Sequence, residues 1–118
     1  MTNGVDEERL RPLLAVVPNA KAFVDGPEIF VLLPALRLQV GDKSYELDAL
    51  LAPNGANGYQ SRLYLSEKIA ERTEIAGKPA NWTERVIAGR TWHVWSWRDV
   101  ASSLPLLDML GAHMVALR

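Results

Sequence analysis

Apolar and polar residues alternate with a period of two from Phe23 to about Glu67. This pattern is typical of β-strands that bury one face. It divides into four segments, residues 28–33, 36–40, 45–51 and 62–66, which are separated by Pro34, Gly41-Asp42 and the PNGANG stretch at 53–58. Gly41-Asp42 has the composition of a two-residue hairpin turn. The pattern therefore predicts four strands joined by short turns as an antiparallel meander.

A period close to 3.6 residues precedes the strands and predicts a short N-terminal helix. Asp6 is an N-cap candidate, whereas Pro12 lies inside the pattern, where it would remove a backbone hydrogen bond. The sequence leaves open whether the helix starts near Asp6 or at Pro12, and it predicts a disordered tail for residues 1–5. The apolar positions of this helix are Leu10, Leu13, Leu14 and Val17.

The helical period returns after residue 104, where it predicts the clearest helix of the chain. Ser102 or Ser103 can cap this helix, and Pro105 suits its first turn. Residues 70–90 have mixed character, with a loop at 76–81. The sequence therefore predicts one α+β domain over residues 1–118. Its elements are a helix, four strands, an irregular tryptophan-rich crossing segment and a second helix packed on the sheet. The apolar stripe predicted to face the core is Leu107, Leu110, Met114 and Leu117.

The composition is that of one folded domain, with 118 residues, 48% of them hydrophobic and 23% charged. Thirteen basic against fourteen acidic residues, with no basic stretch, argue against nucleic acid or an anionic membrane as a partner. The first residues lack a signal-peptide pattern and no apolar run reaches the length of a membrane span, which predicts a cytoplasmic protein. The chain has no cysteine, which excludes disulfides, thiolate metal sites and thiol nucleophiles.

Three of the four tryptophans lie in RTWHVWSWRDV, residues 90–100. As a strand, this segment directs Trp92, Val94 and Ser96 to one side, and its other members to the opposite side. The simplest interpretation is that these aromatic side chains fill the core. The alternative is that one tryptophan face stays exposed and binds a partner. The side chains predicted on the opposite side are His93, Trp95 and Trp97.

Candidate chemistry is sparse in this sequence. His93 is a possible general base with Ser96 or Asp99 beside it, but no G-x-S-x-G motif supports such a site. His93 and His113 are the only histidines and lie twenty residues apart, so the sequence predicts no metal site and no cofactor. His113 is expected to be half-buried at the edge of the core. Tyr59, Arg62 and Tyr64 suit either a protein-recognition edge or the solvent face of a strand.

The order of these elements resembles the fold of the ubiquitin-conjugating enzymes (UBC). Trp95-Ser96, Val100 and LPLLDMLGAHMVAL look like the tryptophan-serine junction and leucine-patterned helix after the active site of those enzymes. NGYQSRLYLSEKI, residues 57–69, looks like their tyrosine-containing turn and following strand, with Gln60 in place of the usual proline. The chain is most similar to a divergent prokaryotic branch of the UBC/RWD-like superfamily, whose members carry a tryptophan-rich motif before the last helix.

UBC enzymes carry ubiquitin as a thioester on a cysteine, which this chain lacks. The resemblance therefore implies a catalytically inactive protein-binding module in a bacterial ubiquitin-like modifier pathway, which holds the modifier or partners its activating enzyme. Homo-oligomerisation stays open. The alternatives are a small enzyme with His93 as base and a small-ligand-binding module with a tryptophan-lined pocket. The predicted protein-binding residues are Tyr59, Arg62, Tyr64, His93, Trp95, Ser96 and Trp97.

Overall fold

The computed structural model describes residues 7–26, 28–53, 61–69, 74–75, 78–95, 100 and 104–117. This part of the chain is α+β, with helices α1 (Glu7–Leu14) and α2 (Leu106–Leu117). Neither of these helices is long and apolar enough to cross a membrane. The strands are β1 (Lys21–Asp25), β2 (Glu28–Val40), β3 (Lys43–Ala52), β4 (Arg62–Leu65), β5 (Glu74–Ile75), β6 (Lys78–Pro79), β7 (Thr83–Ile87) and β8 (Arg90–Val94).

Six of the strands form one antiparallel sheet in the order β1-β2-β3-β4-β8-β7, while β5 and β6 form a separate two-stranded hairpin. The predicted α+β class is confirmed, but the boundaries of the strands differ. The predicted strands at 28–33 and 36–40 are one long strand, and β1 and β7 were not predicted. The first half of the tryptophan-rich segment is not an irregular crossing either, because Arg90–Val94 form β8, which pairs with both β4 and β7. The predicted loop at 76–81 contains the short strand β6.

Pro34 does not end β2, because the strand absorbs it in a β-bulge. Leu33 pairs with Ala49 of β3, and Leu36 pairs with Leu47. Pro34 and Ala35 therefore together oppose a single residue of β3, Asp48. Ala35 takes a left-handed φ of 53°, and its N–H donates to Asp48 Oδ1 at 2.9 Å. Pro34 has no N–H to donate, and it lies in the bulge, where the regular hydrogen bonds between the strands are interrupted. The apolar residues on both sides of the bulge therefore face the same core.

Two tight turns connect β2 to β3 and β7 to β8. Gly41, at φ 59°, and Asp42 link β2 to β3, as the sequence predicted. Ala88 and Gly89, at φ 52° and 79°, link β7 to β8. In the turn between β7 and β8, positive φ at both central residues suits the right-handed twist of the two strands. Ala88 lacks the composition that favours this conformation, which explains why β7 escaped the sequence pattern.

Both helices pack on one face of the sheet, where they complete the larger hydrophobic cluster. Helix α1 starts at Glu7 and contains Pro12, which resolves the choice of start in favour of the earlier position. The predicted core stripe of α2 is shifted by one residue. Leu107 and Met114 are only partly buried. The α2 side chains that the core buries are Leu106, Met109, Leu110 and His113.

The opposite face of the sheet is buried by strong curling. Arg85 of β7 forms an ion pair with Glu28 of β2, and the N–H of Ala88 donates to Asp25 Oδ2 at 2.9 Å. In a flat sheet, the four strand spacings between β2 and β7 would separate them by roughly 19 Å. The sheet therefore bends until its two ends meet. A second hydrophobic cluster, made only of strand residues, lies inside: Phe30, Leu50, Ala52, Tyr64, Ile87, Trp92 and Val94.

Candidate functional site

The structure divides the predicted protein-binding residues into buried and partly exposed members. Tyr59, Ser96 and Trp97 lie outside the described residues, as does Asp99, the proposed carboxylate partner of His93. The remaining four are Arg62, Tyr64, His93 and Trp95. Two of these are buried, and the other two lie on different faces of the sheet.

Trp95 belongs to the core and not to an exposed surface. Its side chain is 1% exposed, with ring contacts to Trp82 at 5.6 Å and to His113 at 6.0 Å between centroids. The predicted alternation of the segment is confirmed: Trp92 and Val94 lie in the second cluster and Trp95 in the first. Trp95 therefore fills the core, as the simplest interpretation of the segment predicts, because the alternation directs it toward the face that the helices cover, and a role of Trp95 in protein binding stays a prediction.

Tyr64 is also buried, at 2% exposure, inside the curl of the sheet. Its ring packs edge-on against Phe30 at 6.2 Å, and its hydroxyl accepts a hydrogen bond from Arg85 Nη1 at 3.1 Å. The hydrogen bonds to Glu28, followed by the one to Tyr64, raise the pKa of Arg85 above its ordinary value. The expectation that Tyr64 is exposed is therefore wrong, while its role in protein recognition stays a prediction.

Arg62 and His93 do not form one surface. The guanidinium of Arg62 lies 5.8 Å from the Tyr64 ring centroid and donates to the Trp95 carbonyl at 3.3 Å. His93 pairs in register with Leu65, on the helix-covered face. Its side chain is 20% exposed, and its Nδ1 lies 3.9 Å from Glu84 Oε1. The carboxylate next to His93 is therefore one that the sequence interpretation did not consider.

A buried serine–histidine pair lies between α2 and the sheet. Ser61 and His113 are each 1% exposed, and Ser61 Oγ lies 2.9 Å from His113 Nε2. The expectation that His113 is half-buried is wrong, because the core stripe of α2 includes it. Sequence reasoning also missed Ser61, which lies 52 positions away from its partner. Only the tertiary fold brings these two residues together.

The hydrogen bonds of this pair do not suit nucleophilic catalysis. Ser61 Oγ donates its single hydrogen to the Val100 carbonyl at 2.9 Å. His113 Nε2 must then carry a hydrogen and donate it to Ser61, so it has no lone pair to accept the serine proton. Burial, followed by the charge of Arg62, lowers the pKa of His113 to about 4, which keeps the ring neutral. The pair joins α2 to β4 and to residue 100.

An open apolar trough runs along the outer side of α2. It consists of two cavities of about 440 and 450 Å³ that share Arg37 and Met114. Leu107, Leu110, Gly111 and Met114 form the α2 side, and the β2 bulge forms the opposite side. Val16, which follows α1 and is 61% exposed, lines one end. Three of the four residues predicted as the core stripe of α2, Leu107, Leu110 and Met114, thus line this trough, and the side chain of Leu117 lies outside the described part of the chain.

Polar residues surround the trough, which makes its rim different from its floor. The rim includes Asn19, Arg37, Gln39, Ser44 and Glu46. Arg37 Nε lies 3.6 Å from Glu46 Oε2, and the two side chains are 87% and 58% exposed. An ion pair so exposed contributes about 0–1 kcal/mol. Arg37 can therefore exchange Glu46 for a carboxylate of a partner at little cost.

Within the described ranges, no three residues of metal-binding type come together. Comparison with protein-family models, with curated proteins and with solved structures finds no match.

Proposed function

We propose that the protein is a catalytically inactive, UBC-like binding module of a bacterial ubiquitin-like modifier pathway, and that its α2 trough takes an extended segment of the modifier. The element order supports this proposal. Helix α1 precedes strands β1 to β4, which are neighbours in sequence order in the sheet, and α2 closes the fold. Strands β7 and β8 are an addition to the four strands that the resemblance implies, and we treat them as an extension of the sheet.

The chemistry of the chain supports a binding role in place of thioester transfer. No cysteine is present to carry a thioester. The one buried serine–histidine contact in the described part of the chain has its hydrogen bonds directed away from nucleophile activation. A module of this kind presents or positions its partner, while the bond-forming steps belong to other proteins.

The observation that carries the binding proposal is the α2 trough, with its apolar floor and polar rim. Protein interfaces combine an apolar centre with a polar margin in this way. An extended segment directs alternate side chains inward and outward, so one set would contact Leu107 and Met114 while the other stays in solvent. Arg37 at the rim offers a guanidinium to a carboxylate of that segment.

Site-specific photocrosslinking in the native host cells tests this function. A benzophenone amino acid replaces Val16, which lines the trough, or Val86, which is 67% exposed on edge strand β7. The two valines have similar exposure, so the second variant is a matched control for non-specific capture. We expect position 16 alone to form a specific adduct, and mass spectrometry to identify in it a protein with a ubiquitin-like domain.

The other results of this experiment contradict specific parts of the proposal. Equal adducts at both positions, or an adduct at position 86 alone, would exclude the trough as the docking site. A specific adduct at position 16 with a protein that has no ubiquitin-like domain would retain the trough and reject the pathway. No adduct at either position in cells that express the protein would reject both.

A further inference from the structure

A third cavity lies on the curled face of the sheet, away from the α2 trough. Its volume is about 250 Å³. Phe23 and Leu32 come from one end of the sheet, Leu50 from its middle, and Ile87 and Trp92 from the other end. The cavity therefore exists because the sheet curls, and every one of these side chains belongs to a strand. It is independent of the trough and of the function proposed for it.

The size and lining of this cavity suit a flat ring. An apolar cavity of about 150 Å³ is large enough to hold benzene, so this one has room for a ring with a substituent. Leu50 and Trp92 at its inner wall are 0% and 3% exposed, while Phe23 and Leu32 are partly buried. Aromatic walls favour tilted or offset contacts with a second ring. The apolar part of the site thus selects for an aromatic group.

The guanidinium of Arg90 defines the polar side of the cavity. The guanidinium carbon of Arg90 lies 4.6 Å from the Trp92 ring centroid. Its Nη1 donates to Asp48 Oδ2 at 3.1 Å, which uses one of the five N–H groups that a guanidinium carries. The indole Nε1 of Trp92 is buried and has no hydrogen-bond partner among the described residues. Because the Nε1 atom has almost no accessible surface, the acceptor of a ligand would bind to the remaining N–H groups of Arg90 instead.

The charges beside the cavity favour a neutral acceptor. The hydrogen bond that Asp48 accepts from the Ala35 N–H lowers the pKa of Asp48, and it outweighs the opposite effect of desolvation. The hydrogen bond and charge of Arg90 lower this pKa further. Asp48 is therefore ionised and balances the charge of the guanidinium. A ligand carboxylate bound to Arg90 would lie close to the Asp48 carboxylate on the same guanidinium, and two negative charges at short distance repel each other. A carbonyl oxygen accepts from Arg90 without that penalty.

We propose that this cavity binds a small neutral aromatic molecule that carries a carbonyl group, with the ring between Phe23 and Trp92 and the carbonyl oxygen at Arg90. The ligand would enter on the side of Arg90, whose side chain is 50% exposed. The apolar strand residues that line the cavity supply the apolar contact, and the guanidinium of Arg90 orients the carbonyl.

Nuclear magnetic resonance on the ¹⁵N-labelled full chain tests this site with benzamide as the probe. The four tryptophans give four indole N–H signals, and a Trp92→Phe variant assigns the one of interest. We expect benzamide to shift the Trp92 signal saturably. The Trp95 signal is an internal reference, since its buried indole N–H also has no partner in the described part of the chain but lies in the other core.

Three comparisons decide the chemical class of the ligand. Cyclohexanecarboxamide lacks the aromatic ring and benzoate is charged, and both should bind more weakly than benzamide. Arg90→Met should weaken benzamide binding about tenfold, whereas Arg11→Met, which removes an exposed arginine of α1 on the other face of the sheet, should leave it unchanged. No saturable shift of the Trp92 signal, equal binding of the three probes, or equal affinity in the Arg90→Met variant would overturn the proposal.

Discussion

On one face of the sheet, α1 and α2 cover the apolar residues, while on the other face the sheet covers its own residues by curling. The helix-covered cluster consists mainly of aliphatic side chains, with Trp95 against Trp82 and His113. The curled face is rich in aromatic residues, and two arginines lie against their rings. Arg85 lies 5.9 Å from the Phe30 ring centroid and Arg90 4.6 Å from that of Trp92.

The difference shows that a sheet can bury its second face without a second layer of helices. Curling brings the ends of the sheet together and encloses a space that aromatic as well as aliphatic side chains fill. Arginine can cover an aromatic ring with its planar guanidinium and still pair with a carboxylate at the rim. The helix-covered face opens along the α2 trough, which Trp95 does not line, whereas the curled face retains a separate cavity of about 250 Å³ that Trp92 lines.

The largest expected effect separates the two tryptophans. Trp95→Ala should lower the free energy of unfolding by about 3–5 kcal/mol, because it leaves a void in a closed core. Trp92→Ala should cost about 2 kcal/mol, since it enlarges a cavity that already opens to solvent and removes one cation–π contact. Chemical denaturation of both variants measures this difference. Equal losses would contradict the distinction between a closed and an open core.

The pH dependence of stability should come from the helix-covered face through His113. Burial lowers its pKa from 6.5 to about 4, so between these values the unfolded chain binds a proton that the folded chain does not. Stability is therefore lost as the pH falls from 6.5 to 4, by up to about 3 kcal/mol. His113→Gln keeps a donor for Ser61 but does not titrate. Denaturation at several pH values should show a correspondingly weaker pH dependence in this variant.

The carboxylates of the protein titrate in the same range, but wild type and variant share them. The difference between the two pH profiles therefore isolates His113. Parallel profiles would show that His113 titrates as it does in the unfolded chain, and would contradict its burial beside Ser61.

The local pattern of the sequence predicts elements better than it predicts their partners. The Gly41-Asp42 turn and the alternation through Trp92 and Trp95 follow from local geometry, and the structure confirms both. The bulge at Pro34 was interpreted as a strand end, because proline lacks a ladder donor and the accepting Asp48 lies 13 positions from Ala35. Local pattern also gives no measure of how far a sheet curls.

The candidate site was less predictable, and α2 explains why. LPLLDMLGAHMVAL is apolar on most of its circumference, so two stripes one residue apart satisfy the helical period. The structure buries the stripe that includes His113, whose partner Ser61 is far away in sequence. Leu107 and Met114, which the pattern assigned to the core, lie in the trough instead. The buried face of α2 thus contains the polar pair, and the apolar face with Leu107 and Met114 stays partly open to solvent.

The most direct test of the curled sheet is a double-mutant cycle on Arg85 and Glu28. The variants Arg85→Met, Glu28→Gln and their combination are unfolded with denaturant, and the coupling free energy is compared with that of Arg37→Met and Glu46→Gln. The control pair joins neighbouring strands and is exposed. We predict a coupling of about 1–2 kcal/mol for Arg85 and Glu28, against less than about 0.5 kcal/mol for the control. Additivity within about 0.5 kcal/mol for Arg85 and Glu28 would place β7 and β2 apart and contradict the curl.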